Sequence, residues 1–378
     1  MSSISRATLP QNFLDSVSSG MRLPTPEPQY FFAKMAMGAR LTLAALDAGL
    51  PTVQQFVTMS GGGAQLPPDL NEMARAADAY PGAILAVDDF GKGMGDTIKF
   101  RRDSYGGGGF DQASRKLTTN TTISTTGQAI QMEEVPVILE QFHGPMAAGA
   151  TAPAPYQIPE FDAKYRAAKE ALTSVTTRYL RRDYVKWLDS VVRDQFRKSS
   201  YISYADPTTV TSSASFTAGA GHLLSLEGIM AARKAISDRE WQKFGNGRFM
   251  CLVPTKFNTD MVGDVDYREL SKVHADGRNQ LFGYIGSVQD VDFFECTTLK
   301  TYAAGDVIPG DGGTVASGVT VQESLLFGPG AVGVGTALPA EARWADDTNY
   351  GTLAKCIWFA MHAFECVDSR GVQRILSQ

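Results

Sequence analysis

Between Gly95 and Phe142 two strand-like segments are joined by a stretch with almost nothing apolar to bury. Gly95-Asp96 leads into Thr97-Ile98-Lys99-Phe100-Arg101-Arg102, where apolar and charged side chains alternate with the period of a strand. Gly106-Gly107-Gly108-Gly109-Phe110 follows, then a threonine-rich run to Thr126 and a second strand candidate from Ala129 to Phe142. So long a connection is uncommon in a compact domain unless it is functional or docks on a partner. The pair predicts a protruding β-loop whose tip gains little by packing on its own domain.

The longest periodic segment starts at Pro159. Phe161, Tyr165, Ala168, Leu172, Val175 and Tyr179 recur at helical spacing, and Leu180, Tyr184, Trp187 and Val191 continue the stripe beside Leu188, Val192 and Phe196. Pro159 fits a first helical position, with Glu160 and Asp162 at the start and Arg197 and Lys198 at the end. Unbroken, roughly 40 residues at 1.5 Å each would span on the order of 60 Å. Thr173, Thr176 and Thr177 are poor helix formers, so the alternative is a break there and a rod from Arg178 onward.

Around this rod the elements are shorter. Met1 to about Pro28 is polar and broken by prolines, as an arm would be, and Tyr30 to Leu50 is helix-like, closed by Gly49 and Pro51. Ser60 to Gly63 and Pro67-Pro68 interrupt the chain again. After a Ser/Thr-rich linker, Thr208 to Thr217, an α/β texture sets in. Leu224 to Ile236 is helical, Phe249 to Pro254 is a short apolar strand, and Thr255 to Val262 and Tyr267 to His274 are short helices. Gly283 to Glu295 is strand-like and Ala304 to Gly318 is a loop. Ser324 to Phe327 and Ala354 to Val367 are strands, the latter apolar on both faces and therefore expected to be buried in a sheet.

Composition narrows the function. With 378 residues, 43% hydrophobic and 20% charged, the chain is globular and too long for one ordinary core, so two lobes are expected. A net charge of -5 argues against a protein whose main task is to grip nucleic acid. Cys251, Cys296, Cys356 and Cys366 form no Cys-x-x-Cys pair, and most sit in apolar runs, which predicts buried free thiols and a reducing folding compartment. No signal-peptide pattern opens the chain, and no apolar run approaches the roughly 20 residues of a membrane helix.

Each chemical motif lacks a partner. Gly328-Pro329-Gly330-Ala331-Val332-Gly333 matches G-x-G-x-x-G after a strand, with Asp346 downstream, but Gly335 and Pro339 leave room for only a very short helix. A tight turn is the better reading. Gly91, Gly93 and Gly95 lack the Gly-Lys-Ser/Thr ending of a phosphate loop. His362 and Glu365 would face opposite sides of a strand, and His143, His222 and His274 are scattered. Asp88-Asp89 and Asp346-Asp347 are taken as acidic turn residues. Arg178, Arg181 and Arg182 form a small basic cluster balanced by Asp183, Asp189 and Asp194, read as a solvated helix face, with pairing to acidic residues of a neighbouring subunit as the alternative. No catalytic, cofactor or metal residue is assigned.

The order of parts resembles the HK97-type capsid fold of tailed-bacteriophage major capsid proteins. The stretches that carry the likeness are Gly95 to Phe100, Leu180 to Phe196 with Trp187, Leu252-Val253-Pro254, Phe282 to Gly286, and Leu326 to Ala331 through Asp346 to Gly351 and on to Trp358. The resemblance implies an α+β fold. Its expected parts are an arm with short elements (1–94), an extended β-loop (95–145), a spine helix in a peripheral domain (146–215), an axial domain (216–325) and C-terminal strands completing the core (326–378). The segment before Gly95 and the Tyr302 to Thr320 loop depart from the family pattern. The implied function is self-assembly into hexamers and pentamers of an icosahedral head, in contact with neighbouring capsomers. The expected partners are a separate scaffolding protein, a portal, a possible decoration protein and packaged double-stranded DNA held without sequence-specific binding; no cofactor and no membrane are expected. The place expected is the virion, after assembly in the host cytoplasm. An encapsulin-like compartment shell and a dinucleotide-binding enzyme are the rival readings.

Overall fold

The computed structural model describes residues 31–47, 77–104, 131–146, 155–159, 169–206, 208–218, 222–257, 284–345 and 353–378. In chain order these form α1 (Phe31–Asp47), β1 (Ile84–Asp88), β2 (Thr97–Ser104), β3 (Gln131–Ile138), β4 (Glu140–Gly144), β5 (Tyr156–Pro159) and α2 (Lys169–Phe196). Then come β6 (Ile202–Tyr204), α3 (Leu226–Asp238), β7 (Phe249–Val253), β8 (Tyr284–Val288), β9 (Val291–Glu295) and β10 (Thr301–Tyr302). The last strands are β11 (Val321–Phe327), β12 (Val332–Ala345), β13 (Leu353–Cys366) and β14 (Val372–Ser377). The expected arm from Met1 to Pro28, the Gly106 to Thr126 loop, the helices expected beyond Phe257, and Asp346-Asp347 lie outside the described residues.

Two sheets share one apolar core. The first has the order β1-β12-β13-β4, with β5 also on β13, and the second runs β6-β14-β11-β7-β9-β8, with β10 on β11. The chain passes from the second sheet to the first between β11 and β12, and returns between β13 and β14. A continuous cluster unites Val185, Leu188, Val192 and Phe196 of α2 with Phe31 and Phe32 of α1, Val332 and Val334 of β12, and Met250, Leu252 and Phe294 of the second sheet. A second cluster packs Ile229, Ala232 and Ile236 of α3 onto Cys251, Phe293 and Leu326. A third sits under the Ala304 to Gly318 loop, around Phe216, Ile308 and Val319.

Several expectations are corrected. Pro159 is not a helix start; it is the last residue of β5, paired with Leu353. Among the described residues that strand pairs only with β13, and an edge tolerates a residue that cannot donate to a ladder. The described spine helix α2, Lys169–Phe196, runs unbroken through Thr173, Thr176 and Thr177 for 28 residues, about 42 Å at 1.5 Å each. The propensity deficit of three threonines, a few tenths of a kcal/mol apiece, is small beside the tertiary burial along the helix. Strand β13 is not buried evenly on both faces. Cys356, Trp358, Ala360 and His362 are buried, whereas Ile357, Phe359 and Met361 are only partly covered.

All four thiols are free; Cys251, Cys296 and Cys356 are buried and Cys366 is partly so. Burial pushes the Cys296 thiol up to about 12 and Cys356 and Cys366 up to about 11.

Candidate functional site

The Gly95 to Phe142 segment contains an antiparallel pair, β2 with β3, in register from Thr97 opposite Ile138 to Ser104 opposite Gln131. Backbone bonds close its base: the Gly95 amide donates to the Leu139 carbonyl (3.0 Å) and the Leu139 amide to the Asp96 carbonyl (2.8 Å). One side of the hairpin is plugged into the first sheet. Ile98 and Phe100, each 1% exposed, cluster with Leu139, Ala337, Ala363 and Val367. Its other side is open, carrying Arg101, Glu134, Pro136 and Ile138, the last 61% exposed. Lys99–Glu134 (2.6 Å) and Arg102–Glu133 (2.5 Å) are exposed ion pairs that brace the two strands and contribute little each.

Each glycine of the G-x-G-x-x-G match has a structural role, and one of them belongs to this plug. Gly330 has φ +78° and makes the turn between β11 and β12. Gly328 lies under Trp241, where a Cβ would come within 2.5 Å of the indole. A Cβ on Gly333 would come within 2.6 Å of the Phe100 ring, and one on Gly335 within 2.8 Å of Ile98. A strand follows the motif, not a helix, so no helix N-terminus faces a pyrophosphate and the dinucleotide reading fails on geometry. Side-chain alternation along β12 sends Val332 and Val334 to the helix side while Gly333 and Gly335 leave sockets for the hairpin.

The remaining residues singled out in the sequence disperse. Gly91 and Gly93 donate to the Asp89 and Asp96 carboxylates of their own turn. Asp88 is ion-paired with Arg40 at 3.2 Å. His222 stands 3.5 Å from Asp206, and His362 lies in the helix–sheet core, its Nε2 2.9 Å from the Tyr184 hydroxyl and its Nδ1 3.3 Å from Thr336 Oγ1. Burial, with Arg40 nearby, pushes the His362 pKa down to about 3. Among the described residues no three His, Cys, Asp or Glu side chains stand together as metal ligands. No helix of the described residues is long and apolar enough to cross a membrane.

The acidic residues expected to balance the basic cluster on α2 are engaged elsewhere. Asp183 accepts from Trp358 Nε1 at 2.8 Å, and Asp189, 1% exposed, accepts from the Ala33 amide at 3.1 Å in the first turn of α1. Asp194 pairs with Arg193 (3.0 Å) and Arg197 (2.8 Å). Around Asp183 an aromatic cluster fixes the helix on the sheet: the Trp187 ring is 5.2 Å from Trp358 and 4.7 Å from Phe142.

A buried polar network was not anticipated. Arg374, 0% exposed, donates to Glu323 Oε1 at 2.5 Å and to the Pro309 carbonyl, while Arg197 donates to Glu323 Oε2 at 3.0 Å and to the Tyr302 hydroxyl at 2.7 Å. Burial works against the Arg197 charge, but Tyr302, Glu323 and Asp194 together raise its pKa. The network ties the end of α2, strands β11 and β14 and the Ala304 to Gly318 loop to one another. Its only sequence signal is an arginine flanked closely by Val372, Ile375 and Leu376.

No family model and no curated protein matches the sequence. Solved structures do match the fold. The capsid of Ralstonia phage GP4 aligns over 78% of this chain and 87% of its own, with a TM-score of 0.53 at 13% identity. The capsid subunit of cyanophage Pam1 aligns over 78% and 88%, with a TM-score of 0.50 at 12% identity. The α+β fold expected from the order of parts is the fold found, and it is shared with both capsid structures. This chain has the HK97-like fold of phage capsid subunits.

Proposed function

We propose that the chain is the major capsid protein of a tailed phage, assembling into hexamers and pentamers that close an icosahedral head around double-stranded DNA. The observation that carries the reading is the likeness in fold to two phage capsid structures over 78% of the chain. The hairpin adds a physical reason. It is rooted by Ile98 and Phe100 but leaves Ile138, Met94 and Phe90 exposed, at 61%, 69% and 40%, around its base. Repeated modest contacts in a closed shell supply the stability that one such contact cannot.

The protein works as a structural part of the virion and not as an enzyme, in contact with neighbouring capsomers. Scaffolding, portal and decoration proteins act beside it during assembly in the host cytoplasm. Electron microscopy of the expressed protein, with or without co-expressed neighbouring genes, tests the reading: closed shells are expected, and a monodisperse monomer under all conditions would overturn it. Deleting Gly106 to Thr126 should leave a folded subunit, by circular dichroism and cooperative melting, that forms few shells. Normal shells from that deletion would remove the hairpin from the assembly mechanism.

A further inference from the structure

Spine helix α2 carries an unneutralised cationic row. Arg178, Arg182 and Lys186 follow one another at four-residue spacing, and all three are exposed. Among the described residues none of them has an ion pair or hydrogen bond. The acidic residues nearest in sequence are committed to Trp358, to the first turn of α1 and to Arg193 and Arg197. Successive members of the row are about 6 Å apart along the helix axis.

We propose that this row contacts the backbone phosphates of the enclosed duplex, which makes the α2 side of the first sheet the inner surface of the wall; the proposal rests on the shell reading above. Three observations favour a phosphate backbone over a protein partner. Among the described residues the row has little apolar surround: of the exposed large hydrophobic side chains only Tyr179 belongs to it, whereas protein interfaces are built on an apolar centre. Its spacing also suits a polyanion, since phosphates on one strand advance about 3.4 Å along the axis and every second one falls near a cation. Finally, the helix and the projecting hairpin occupy opposite faces of the first sheet. Val332 and Val334 pack toward α2, while Gly333 and Gly335 receive Phe100 and Ile98. The row is therefore turned away from the face that bears the hairpin.

Three cations on a chain of net charge -5 give weak, sequence-independent contact, which suits a genome that must later leave. The test compares the wild-type full chain with the triple variant Arg178→Gln/Arg182→Gln/Lys186→Gln. Binding of a short random-sequence duplex is measured across a salt series, and shells are counted by electron microscopy. Loss of three phosphate contacts should flatten the log K against log salt slope by about 2.7, so that between 50 and 200 mM salt the wild type loses about 40-fold more affinity than the variant. Shell yield should be unchanged. Equal slopes would overturn the proposal, as would a variant that binds DNA normally but no longer assembles, which would make the row a contact between subunits. Displacement of the wild type by polyglutamate as readily as by DNA of equal charge would assign the row to an acidic polypeptide instead. If the wild type itself forms no shells, the capsid reading fails separately, and the salt slope still decides whether the row binds phosphate.

Discussion

Replacing Gly333 by alanine should loosen the root of the hairpin. The new Cβ would stand 2.6, 2.7 and 2.9 Å from three atoms of the Phe100 ring, closer than side chains pack, so ring or strand must move. The Gly333 backbone is itself fixed on one side through its pairing with Glu365 of β13 and on the other with Leu85 of β1. The strain therefore falls on Phe100, which is 1% exposed and has little free space to enter. Overpacking of this kind costs about 1–3 kcal/mol, and about 2 kcal/mol is expected here because the ring is enclosed in a buried cluster with Leu139, Ala363 and Val367. Urea denaturation of the subunit followed by tryptophan fluorescence measures it. The double variant Gly333→Ala/Phe100→Leu should recover at least half of the loss, a coupling expected only of residues in direct contact. Shell yield should fall further than stability alone predicts, since the same ring sets the angle at which the hairpin leaves the sheet. A Gly333→Ala protein within about 0.5 kcal/mol of wild type, with normal shells, would refute the socket argument.

Removing one member of the buried network should be costly: Glu323→Gln leaves the buried Arg374 without its carboxylate and Arg197 with Asp194 alone, and is expected to lower stability by about 3–5 kcal/mol, whereas joint replacement of Glu323 and Arg374 by apolar residues of similar size should cost much less, both read by chemical denaturation. His362 gives a pH signature. Its folded pKa, pushed down to about 3, lies below the unfolded value near 6.5. The unfolded chain thus binds the extra proton first as pH falls, so His362 makes stability decline by about 1.4 kcal/mol per pH unit from 6.5 toward 3. A His362→Gln variant should show a shallower decline between pH 6.5 and 4.5; parallel curves would contradict the assignment.

What the sequence determined by itself is the set of local patterns. Alternation from Thr97 to Arg102, the helical stripe from Leu180 to Phe196 and the apolar run at Phe249 each match the element found, because a period of two or of 3.6 already fixes which side chains share a face. The order of those elements was enough to anticipate the fold. Tertiary structure decided the rest. Pro159 is at a strand edge because β13 offers a partner there, and α2 runs through its threonines because burial outweighs propensity. The glycines at 328, 330, 333 and 335 look alike in sequence to a nucleotide loop. Only the approach of Trp241, Phe100 and Ile98 from distant parts of the chain, with the left-handed turn at Gly330, gives them their roles. The same holds for charge. A count of residues near Arg178 suggests a neutralised helix face, but Asp183, Asp189 and Asp194 are drawn to an indole, an amide and two other arginines. Which charges cancel depends on distances across the fold, and a local pattern does not contain those distances.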